Sequence, residues 1–393
     1  MTESPSISPP PCLSLPSREA FFNVVAALHD RELQRRRLSA PRSKAAAAAL
    51  GHALNEVKRP RDAASACRPE SWFKAEAGTA RGNTSKNRYG DIICYDRTRV
   101  LPPFPATAAS DEPPYVNASL VREPDLGFPE SEVPRRWWIA AQAPIPTTVH
   151  DFLSLLLAYP TSHAFGSSTS PCPPALPLVS LIVQLTPLVE GRREKCHPYF
   201  PSEPGEEWEL PSGTERPGEG IWIRLESKDE RDGARTSELS VGREGDEAGR
   251  RVTHVEYLGW RDHGVPESPL HLLRFIQRMN TLNASLSSSV TPAPILLHCS
   301  AGVGRTGTYI TISSLLPVLS CLRNSPSTLP PPPPTLDHPL APYPAKKTIA
   351  GTVDYVGWTI DGLRDQRTTM VQTTEQILWV FKALVVAWEN GVV

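Results

Sequence analysis

A glycine-rich run with a cysteine near its start, His298–Gly307, most tightly constrains what this chain can fold into. The apolar segment Ile295–Leu297 precedes the run and an apolar segment follows it, so the sequence predicts a strand, a tight loop and a helix in that order. Such a loop directs backbone N–H groups and the positive end of a helix into one concavity, which favours an anion. We therefore predict an α/β (or α+β) fold with a phosphate-binding bowl at a strand-to-helix turn.

The residue types within this loop suit nucleophilic chemistry on a tetrahedral anion. Gly302 and Gly304 allow a sharp turn and a close approach of the backbone to the ligand. The surrounding N–H donors favour the thiolate form of Cys299, which is the nucleophilic form. Arg305 can bind two oxygens of the anion in bidentate fashion. The pattern predicts attack of Cys299 on phosphorus and a thiophosphate intermediate that water hydrolyses, whereas a buried structural cysteine beside a chance arginine is the alternative.

Composition and charge exclude some other functions. The chain has 393 residues, and its 41 Lys and Arg against 42 Asp and Glu give a net charge of −1. No global positive field attracts nucleic acid, so nucleic acid is not expected as a ligand. The 43 prolines and 24 glycines exceed the usual content but stay below that of low-complexity chains, which predicts a packed core with proline-rich interruptions.

Cysteine and histidine usage predicts neither disulfides nor a metal centre. The seven cysteines are widely spaced without a CxxC pair, which favours reduced thiols. His298 has no partner at metal-ligand spacing, so we expect no metal and no cofactor. The N-terminus lacks the features of a signal peptide, and the most apolar stretches, 176–189 and 377–388, are interrupted and too short to cross a membrane. These features predict a cytoplasmic protein, with access to the nucleus left open.

Composition also divides the chain into three parts. Residues 1–17 are rich in Ser and Pro and are predicted to be disordered. Residues 18–69 are predicted to form an N-terminal helical layer with Ser17 as the N-cap. The first helix places its apolar side chains on one face: Phe21, Val24, Val25 and Leu28. Residues 70–393 are predicted to form the main domain.

Three stretches within the main domain have an unusual composition and are predicted to be inserted loops. They are residues 160–175, 201–250 and 324–346. The proline run in the last of them could bind domains with an aromatic groove, but its flanks lack a basic specificity pattern, so a solvated insert is favoured. The regular elements predicted elsewhere are a buried central strand at 178–185 and helices at 305–322, 352–364 and 374–388.

The run His298–Gly307 resembles the H-C-S-A-G-x-G-R-[ST]-G signature of the cysteine-dependent protein tyrosine phosphatases. The resemblance extends from about residue 70 to the C-terminus, because other motifs of that family follow in the same order. It implies a twisted mixed β-sheet flanked by helices, and the tyrosine-specific, non-receptor type. It also implies catalytic roles for Cys299, Arg305 and Thr306, with His298 tuning the surroundings of Cys299. The phosphate would bind to the rest of the loop: Ser300, Ala301, Gly302, Val303 and Gly304.

Two further motifs are similar to the family's pocket-lining segments. The segment Lys86–Ile92 resembles the K-N-R-Y-x-D substrate loop, which implies that Tyr89 stacks on the phenyl ring of phosphotyrosine and that Asp91 accepts peptide N–H groups. A deep aromatic slot would reject the shorter phosphoserine. The closing motif M-V-Q-T-x-x-Q implies that Gln372 orients the hydrolytic water and that Gln376 lines the pocket. Helix capping by Thr373 or Thr374 is a compatible role there.

Two more segments would complete the machinery. By resemblance Glu190 holds Arg305, and Lys195 approaches the acid loop, although a solvated charge run is the alternative. The acid loop resembles W-P-D-x-G-V-P and starts at Trp260, with Arg261 in place of the first proline. Asp262 would protonate the departing phenolate and later activate water. The missing proline removes a restraint on the chain before that aspartate.

The resemblance implies an enzyme that acts on phosphotyrosine proteins, and two alternatives stay open. Arg261 motivates the first, a phosphotyrosine-binding module with weak catalysis; the presence of Cys299, Arg305, Asp262 and Gln372 argues against it. The second is a dual-specificity or lipid phosphatase with a shallow pocket, which the K-N-R-Y segment disfavours. The physiological substrate and the oligomeric state do not follow from the sequence.

Overall fold

The computed structural model of this protein describes residues 9–392, apart from 40–71, 103–114, 164–175, 212–218, 261–263, 288, 290, 325–332, 334–337 and 345–351. Within the described residues, eight strands form one mixed sheet and two short strands pair separately. The strands are β1 (Ala118–Arg122), β2 (Trp137–Ala141), β3 (Leu181–Gln184), β4 (Val189–Glu190), β5 (Arg193–Glu194), β6 (Glu207–Leu210), β7 (Ile221–Arg231), β8 (Ala234–Arg243), β9 (Arg250–Tyr257) and β10 (Ile295–His298). The order in the main sheet is β1-β2-β10-β3-β9-β8-β7-β6.

Helices cover both faces of the sheet. They are α1 (Arg18–Ser39), α2 (Glu76–Thr79), α3 (Val149–Ser154), α4 (Pro269–Leu286), α5 (Gly304–Asn324), α6 (Tyr355–Arg364) and α7 (Thr374–Glu389). One apolar cluster contains side chains of α1 and α4 to α7 together with Trp138 and Ala140 of β2. A second cluster contains α3 and the alternate side chains of β2, including Ile139. The sheet therefore lies between two cores, as strand alternation requires.

The strand that leads into the signature loop lies in the middle of the sheet. β10 pairs in parallel with β2 and with β3, and all of its residues are buried. Strands covered on both faces are continuously apolar, which explains the sequence of Ile295–Leu297. The predicted central strand is β3, and the predicted helices correspond to α5, α6 and α7. The mixed sheet flanked by helices is the fold class that the sequence predicted.

The prediction of an inserted loop at residues 201–250 was wrong, because strands β6, β7 and β8 occupy most of this stretch. In the first half of β7, Ile221, Ile223 and Leu225 are buried whereas Arg224 is exposed. An antiparallel ribbon with one face in water alternates apolar and charged residues. The high average charge of residues 201–250 does not reveal that apolar and charged residues alternate along the strand.

The N-terminal predictions hold only in part. α1 begins directly after Ser17, whose Oγ accepts the N–H of Ala20 at 3.2 Å, and its Val24 and Leu28 are buried. Disorder of residues 1–17 is wrong for the described part, because Cys12 and Leu13 are fully buried in the main core. These two residues supply apolar surface that Ser/Pro-rich composition does not reveal. The predicted helical residues 40–69 lie outside the described residues.

The other two proposed inserts lie mainly outside the described residues. Within 324–346, residues 338–344 are described, and they pack on the domain instead of extending into solvent. Leu340 and Tyr343 are buried, and the Tyr343 hydroxyl donates to Asp354 at 2.7 Å. Residues 338–344 therefore form a loop, as predicted, that packs partly on the domain. Of the proline run 330–334, only Pro333 is described, and it is exposed. Of the helices that the structure describes, none is long and apolar enough to cross a lipid bilayer.

Candidate active site

The signature loop places Cys299 at a cavity of about 370 Å³, which Ser300, Ala301, Gly304 and Arg305 also line. Gly302 adopts φ +70°, and a Cβ there would approach the carbonyl oxygen of Ala141 at 2.1 Å. Only glycine fits this turn without moving the backbone of β2. The hydroxyl of Thr306 donates to the Sγ of Cys299 at 3.3 Å. This hydrogen bond stabilises negative charge on sulfur.

Behind the loop, His298 is a fully buried, neutral ring. Its Nδ1 lies 3.2 Å from the carbonyl oxygen of Cys299 and its Nε2 lies 2.9 Å from the hydroxyl of Tyr199. Burial lowers the pKa of His298 to about 4, so the ring is uncharged at neutral pH. A neutral ring with its proton on Nδ1 can donate to the Cys299 carbonyl, while the Tyr199 hydroxyl beside Nε2 donates to Gln184 Oε1 at 3.1 Å. His298 thus holds the backbone at Cys299 and does not line the cavity.

The predicted pairing of Glu190 with Arg305 is present. Nη1 of Arg305 donates to Glu190 Oε1 at 2.5 Å and to the carbonyl of Leu185 at 3.1 Å. The second oxygen of Glu190 lies 3.8 Å from Nζ of Lys195, which also lines the cavity. Among the described residues, Nε and Nη2 of Arg305 have no acceptor. These atoms are therefore available to two oxygens of a bound anion.

The substrate loop supplies one wall of the cavity through Tyr89 and Asp91. Ser300 Oγ donates to the carbonyl of Lys195 at 2.9 Å, and the Tyr89 hydroxyl lies 2.8 Å from the same Oγ. Ser300 Oγ is therefore the acceptor for the Tyr89 hydroxyl, which fixes the phenol ring. Gln142 holds the backbone of the substrate loop, because it accepts the N–H of Arg88 at 2.9 Å and donates to the carbonyl of Lys86 at 2.7 Å.

The opposite wall comes from the start of α7. Gln372 and Gln376 both line the cavity. Thr373 is the N-cap: its Oγ1 accepts the N–H of Gln376 at 3.2 Å, and Gln376 Oε1 accepts the N–H of Thr373 at 3.3 Å. Gln376 Oε1 also accepts the N–H of Gln372 at 3.0 Å, so Gln376 caps the helix, holds the backbone at Gln372 and borders the cavity.

The profile of the family described as "Protein-tyrosine phosphatase" matches residues 83–163 and 178–328. This chain belongs to that family. Receptor-type tyrosine-protein phosphatase C of Mus musculus is 33% identical over 305 residues, which make up 77% of this chain and 18% of that protein. Tyrosine-protein phosphatase 3 of Dictyostelium discoideum is 30% identical over 305 residues, 77% of this chain and 24% of that protein.

A third relative, tyrosine-protein phosphatase non-receptor type 4 of Homo sapiens, is 27% identical over 311 residues. That match covers 79% of this chain and 26% of the relative. The chain therefore spans about a fifth to a quarter of the length of these three tyrosine phosphatases.

The acid loop of this phosphatase family member is described only at its two ends. Asp262, together with Arg261 and the following histidine, lies outside the described residues. Trp260 is buried, and its Nε1 donates to the carbonyl of Gly264 at 3.2 Å. Gly264 lines the same cavity as Cys299. Trp260 itself does not line the cavity; its ring centroid lies 5.9 Å from the guanidinium carbon of Arg305.

Sequence reasoning missed a buried arginine behind the phosphatase signature. Nε of Arg367 donates to the carbonyl of Gly302 at 2.8 Å, and Nη2 donates to the carbonyl of Ala301 at 3.0 Å and to Asn117 at 2.8 Å. By donating to these carbonyls, Arg367 holds the backbone of the signature loop at Ala301 and Gly302. Arg367 lies three residues before the closing M-V-Q-T-x-x-Q motif, which was the only local signal, because the carbonyls that it binds are distant in the chain.

Two predicted phosphate ligands differ in how they reach the site. Ala301 lines the cavity, whereas Val303 is fully buried in the core and its carbonyl accepts the N–H of Val371 at 3.2 Å. Val303 can contribute only through its backbone N–H. In the part of the chain that the structure describes, no group of three or more His, Cys, Asp or Glu residues is arranged to hold a metal ion.

Proposed function

We propose that this chain is a protein tyrosine phosphatase that hydrolyses phosphotyrosine in proteins through a cysteinyl-phosphate intermediate. The observation that carries the proposal is that Cys299, Arg305 and Tyr89 line one cavity. These three supply a nucleophile, a bidentate anion ligand and an aromatic wall for a phenyl ring. Family membership supports the same reaction class.

In the first step, Sγ of Cys299 attacks phosphorus. The S–P bond forms while the bond from phosphorus to the phenolic oxygen breaks. The loop N–H groups and the free edge of Arg305 bind the phosphoryl oxygens, as in other preorganised oxyanion sites. Asp262 gives its proton to the departing oxygen. A phenol has a pKa of about 10, so this proton transfer contributes about 10²- to 10⁴-fold to the rate.

In the second step, water attacks phosphorus and the S–P bond breaks. Gln372 orients this water, and Asp262, now a carboxylate, accepts its proton. The thiolate of Cys299 leaves, and the hydrogen bond from Thr306 stabilises it as it forms. The products are inorganic phosphate and the starting enzyme, so no cofactor enters the cycle.

The proposal is tested by comparing a phosphotyrosine peptide with a phosphothreonine peptide of the same sequence. We expect phosphate release from the first alone, and none with Cys299→Ser. Equal release from both peptides would favour a dual-specificity phosphatase. Binding of the phosphotyrosine peptide by wild-type protein without any release would favour a binding module.

We further propose that phosphotyrosine proteins are its partners and that it acts in the cytoplasm, with access to the nucleus left open. The described cysteines are all free, which supports a reducing compartment. Binders of the proline run Pro330–Pro334 remain a separate proposal, and only Pro333 of that run is described. Fractionation of cells followed by detection of the native protein tests the location.

A further inference from the structure

A short hairpin beside the active-site cavity carries an arginine that the proposed catalytic steps do not use. β4 and β5 are antiparallel, with Glu190 opposite Arg193 and Val189 opposite Glu194. Gly191, the first central residue of the turn, has φ +61°. This is the conformation that a two-residue type II′ turn requires at that position. The turn fixes the register, and the register determines which side chains share a face.

Arg193 lies on the face of the hairpin that is directed toward the cavity. Directly opposed residues of an antiparallel pair project to the same side, and so do residues two apart on one strand. Glu190, opposite Arg193, lines the cavity, and so does Lys195, two residues along the chain. Arg193 does not line the cavity itself and is exposed. It therefore lies on the outer rim, beyond Lys195.

The two carboxylates of the hairpin itself, Glu190 and Glu194, already contact other cations. Glu190 contacts Arg305 at 2.5 Å and Lys195 at 3.8 Å. Glu194, on the other face, lies 3.4 Å from Nη2 of Arg88. Among the residues that the structure describes, none forms an ion pair or side-chain hydrogen bond with Arg193. The Arg193 guanidinium therefore adds a positive charge to the rim that none of these described side chains pairs with.

This charge lies within reach of a peptide that leaves the cavity over the rim. Extended chain advances about 3.3 Å per residue, so Arg193 lies roughly 6 to 7 Å from Lys195 along the strand. A peptide whose phosphotyrosine fills the cavity must run outward over the rim. Side chains one or two residues from the phosphotyrosine then lie about as far from the cavity as Arg193 does. A guanidinium offers two parallel N–H groups, which fit the two oxygens of a carboxylate.

We propose that Arg193 is a specificity-determining residue that binds the carboxylate of an Asp or Glu close to the phosphotyrosine. This inference rests on the proposed function, because it takes the cavity as the phosphotyrosine site. The contact is exposed and paired with one substrate charge, so its contribution is modest and depends on salt.

The test compares three phosphotyrosine peptides: one with Gln on both sides of the phosphotyrosine, one with Glu on the N-terminal side and one with Glu on the C-terminal side. At low salt, wild-type kcat/KM should be about 2- to 5-fold higher for one Glu peptide than for the Gln peptide. Arg193→Gln should reduce that ratio to about one, and Arg193→Lys should retain part of it. Arg192→Gln, the matched control in the turn, should keep the wild-type ratio.

Two results would overturn the inference. One is an equal fall of kcat/KM for all three peptides and for a small aryl phosphate in Arg193→Gln, because Arg193 would then act on the catalytic centre. The other is the same loss of selectivity in Arg192→Gln, which would show a general charge effect. If wild-type protein released no phosphate from any substrate, the proposed function would fail. In that case the Kd values of the same peptides for Cys299→Ser, with and without Arg193→Gln, decide the inference.

Discussion

The surroundings of Cys299 differ from those of Cys12 and Cys196. Burial raises the pKa of Cys12 to about 11 and raises that of Cys196 well above its ordinary value. Both thiols are therefore protonated and unreactive at neutral pH. Cys299, in contrast, accepts a hydrogen bond from Thr306 and borders the cavity. The Thr306 hydroxyl and the adjoining cavity together distinguish Cys299 from these two buried cysteines.

Tyr89 combines two roles that substitutions can separate. Tyr89→Ala removes the aromatic wall and should lower kcat/KM for phosphotyrosine peptides by about 2- to 13-fold, the equivalent of about 0.5 to 1.5 kcal/mol of aromatic contact. Tyr89→Phe is the matched control, because it removes only the hydroxyl that donates to Ser300. It should retain most of the activity. Steady-state kinetics measure both, and equal kinetics for wild-type protein and Tyr89→Ala would show that this ring does not bind the substrate.

At the scale of elements, local patterns predicted the parts of the site that are contiguous in sequence. β10, the signature loop and α5 follow one another, and each has its own local signal: an apolar run, glycines, and an apolar helix. The capping box of α7 is also local. Arg367 was missed because its partners, the carbonyls of Ala301 and Gly302, lie more than sixty residues away in the chain.

β6 to β8 were missed for a different physical reason. Their strands lie at one end of the sheet, where one face is in water, so charged residues make up 11 of their 25 residues. Only Ile221, Ile223 and Leu225 mark the buried face at the start of β7. Composition averaged over fifty residues cannot detect an alternation with a period of two.

The acid loop is the element whose chemistry is most open to test. If Asp262 is the general acid, Asp262→Ala should slow turnover of phosphotyrosine peptides by about 10²- to 10⁴-fold. It should also remove the fall in rate on the alkaline side of the pH profile, because no proton donor is left to lose. A kcat profile from pH 5 to 8.5 measures both effects. An unchanged rate with an unchanged alkaline limb would remove the acid assignment.

Arg261→Pro is a separate test of the same loop. Proline fixes φ and restrains the chain before Asp262, so this variant should be at least as fast as wild type if Arg261 only loosens the loop. A slower Arg261→Pro enzyme would mean that the arginine side chain itself takes part in loop closure.

At the scale of the whole molecule, buried ion pairs hold α1 against the C-terminal end of α6. Nη2 of Arg35 lies 2.5 Å from Asp361 and 2.7 Å from Asp365, and its side chain is fully buried. Burial opposes ionisation of Asp365, but Arg35 and His338 outweigh this effect and lower the pKa of Asp365 to about 2. The segment that follows α6 carries Arg367 and Gln372, so this cluster links α1 to the active site.

Arg35→Met should therefore lower the free energy of unfolding by about 3 kcal/mol, because it removes one partner from each of two buried carboxylates. Asp361 keeps Arg31 at 2.7 Å and Asp365 keeps His338 at 3.0 Å, which limits the loss. Arg36→Met is the matched control. Arg36 is the neighbouring residue, but its side chain is half exposed and lies 3.7 Å from Glu32. We expect a change of less than about 0.5 kcal/mol for it. Urea unfolding measures the free energy of unfolding of both variants. Equal decreases would show that the buried ion pairs of Arg35 stabilise the fold no more than the exposed pair of Arg36.

Two buried histidines predict how stability depends on pH. Burial lowers the pKa of His298 to about 4 and that of His254 to about 3. In the unfolded chain each ring binds a proton near its ordinary pKa of about 6.5. As pH falls below that value, the unfolded state gains protons first. The free energy of unfolding should thus decrease between about pH 6.5 and pH 4, by roughly 1.4 kcal/mol per pH unit for each ring.

His254→Gln tests this account, because it removes one of the two titrating rings and keeps a polar side chain beside Gln184, which lies 3.3 Å from Nε2 of His254. The slope of unfolding free energy against pH from 4.5 to 6 should fall by about 1.4 kcal/mol per pH unit relative to wild type. Urea unfolding at several pH values gives the slope, and a slope equal to that of wild type would contradict the assignment.

The central claim is that Cys299 carries the phosphoryl group during turnover. The most direct measurement mixes the enzyme with a phosphotyrosine peptide, quenches the reaction with acid within one turnover, and locates phosphate by mass spectrometry of the proteolysed protein. We predict phosphate on the fragment that contains Cys299, more of it in Gln372→Ala because hydrolysis is slower, and none in Cys299→Ser, which should also lack turnover. Turnover by Cys299→Ser, or wild-type turnover with no phosphate on that fragment, would contradict the account.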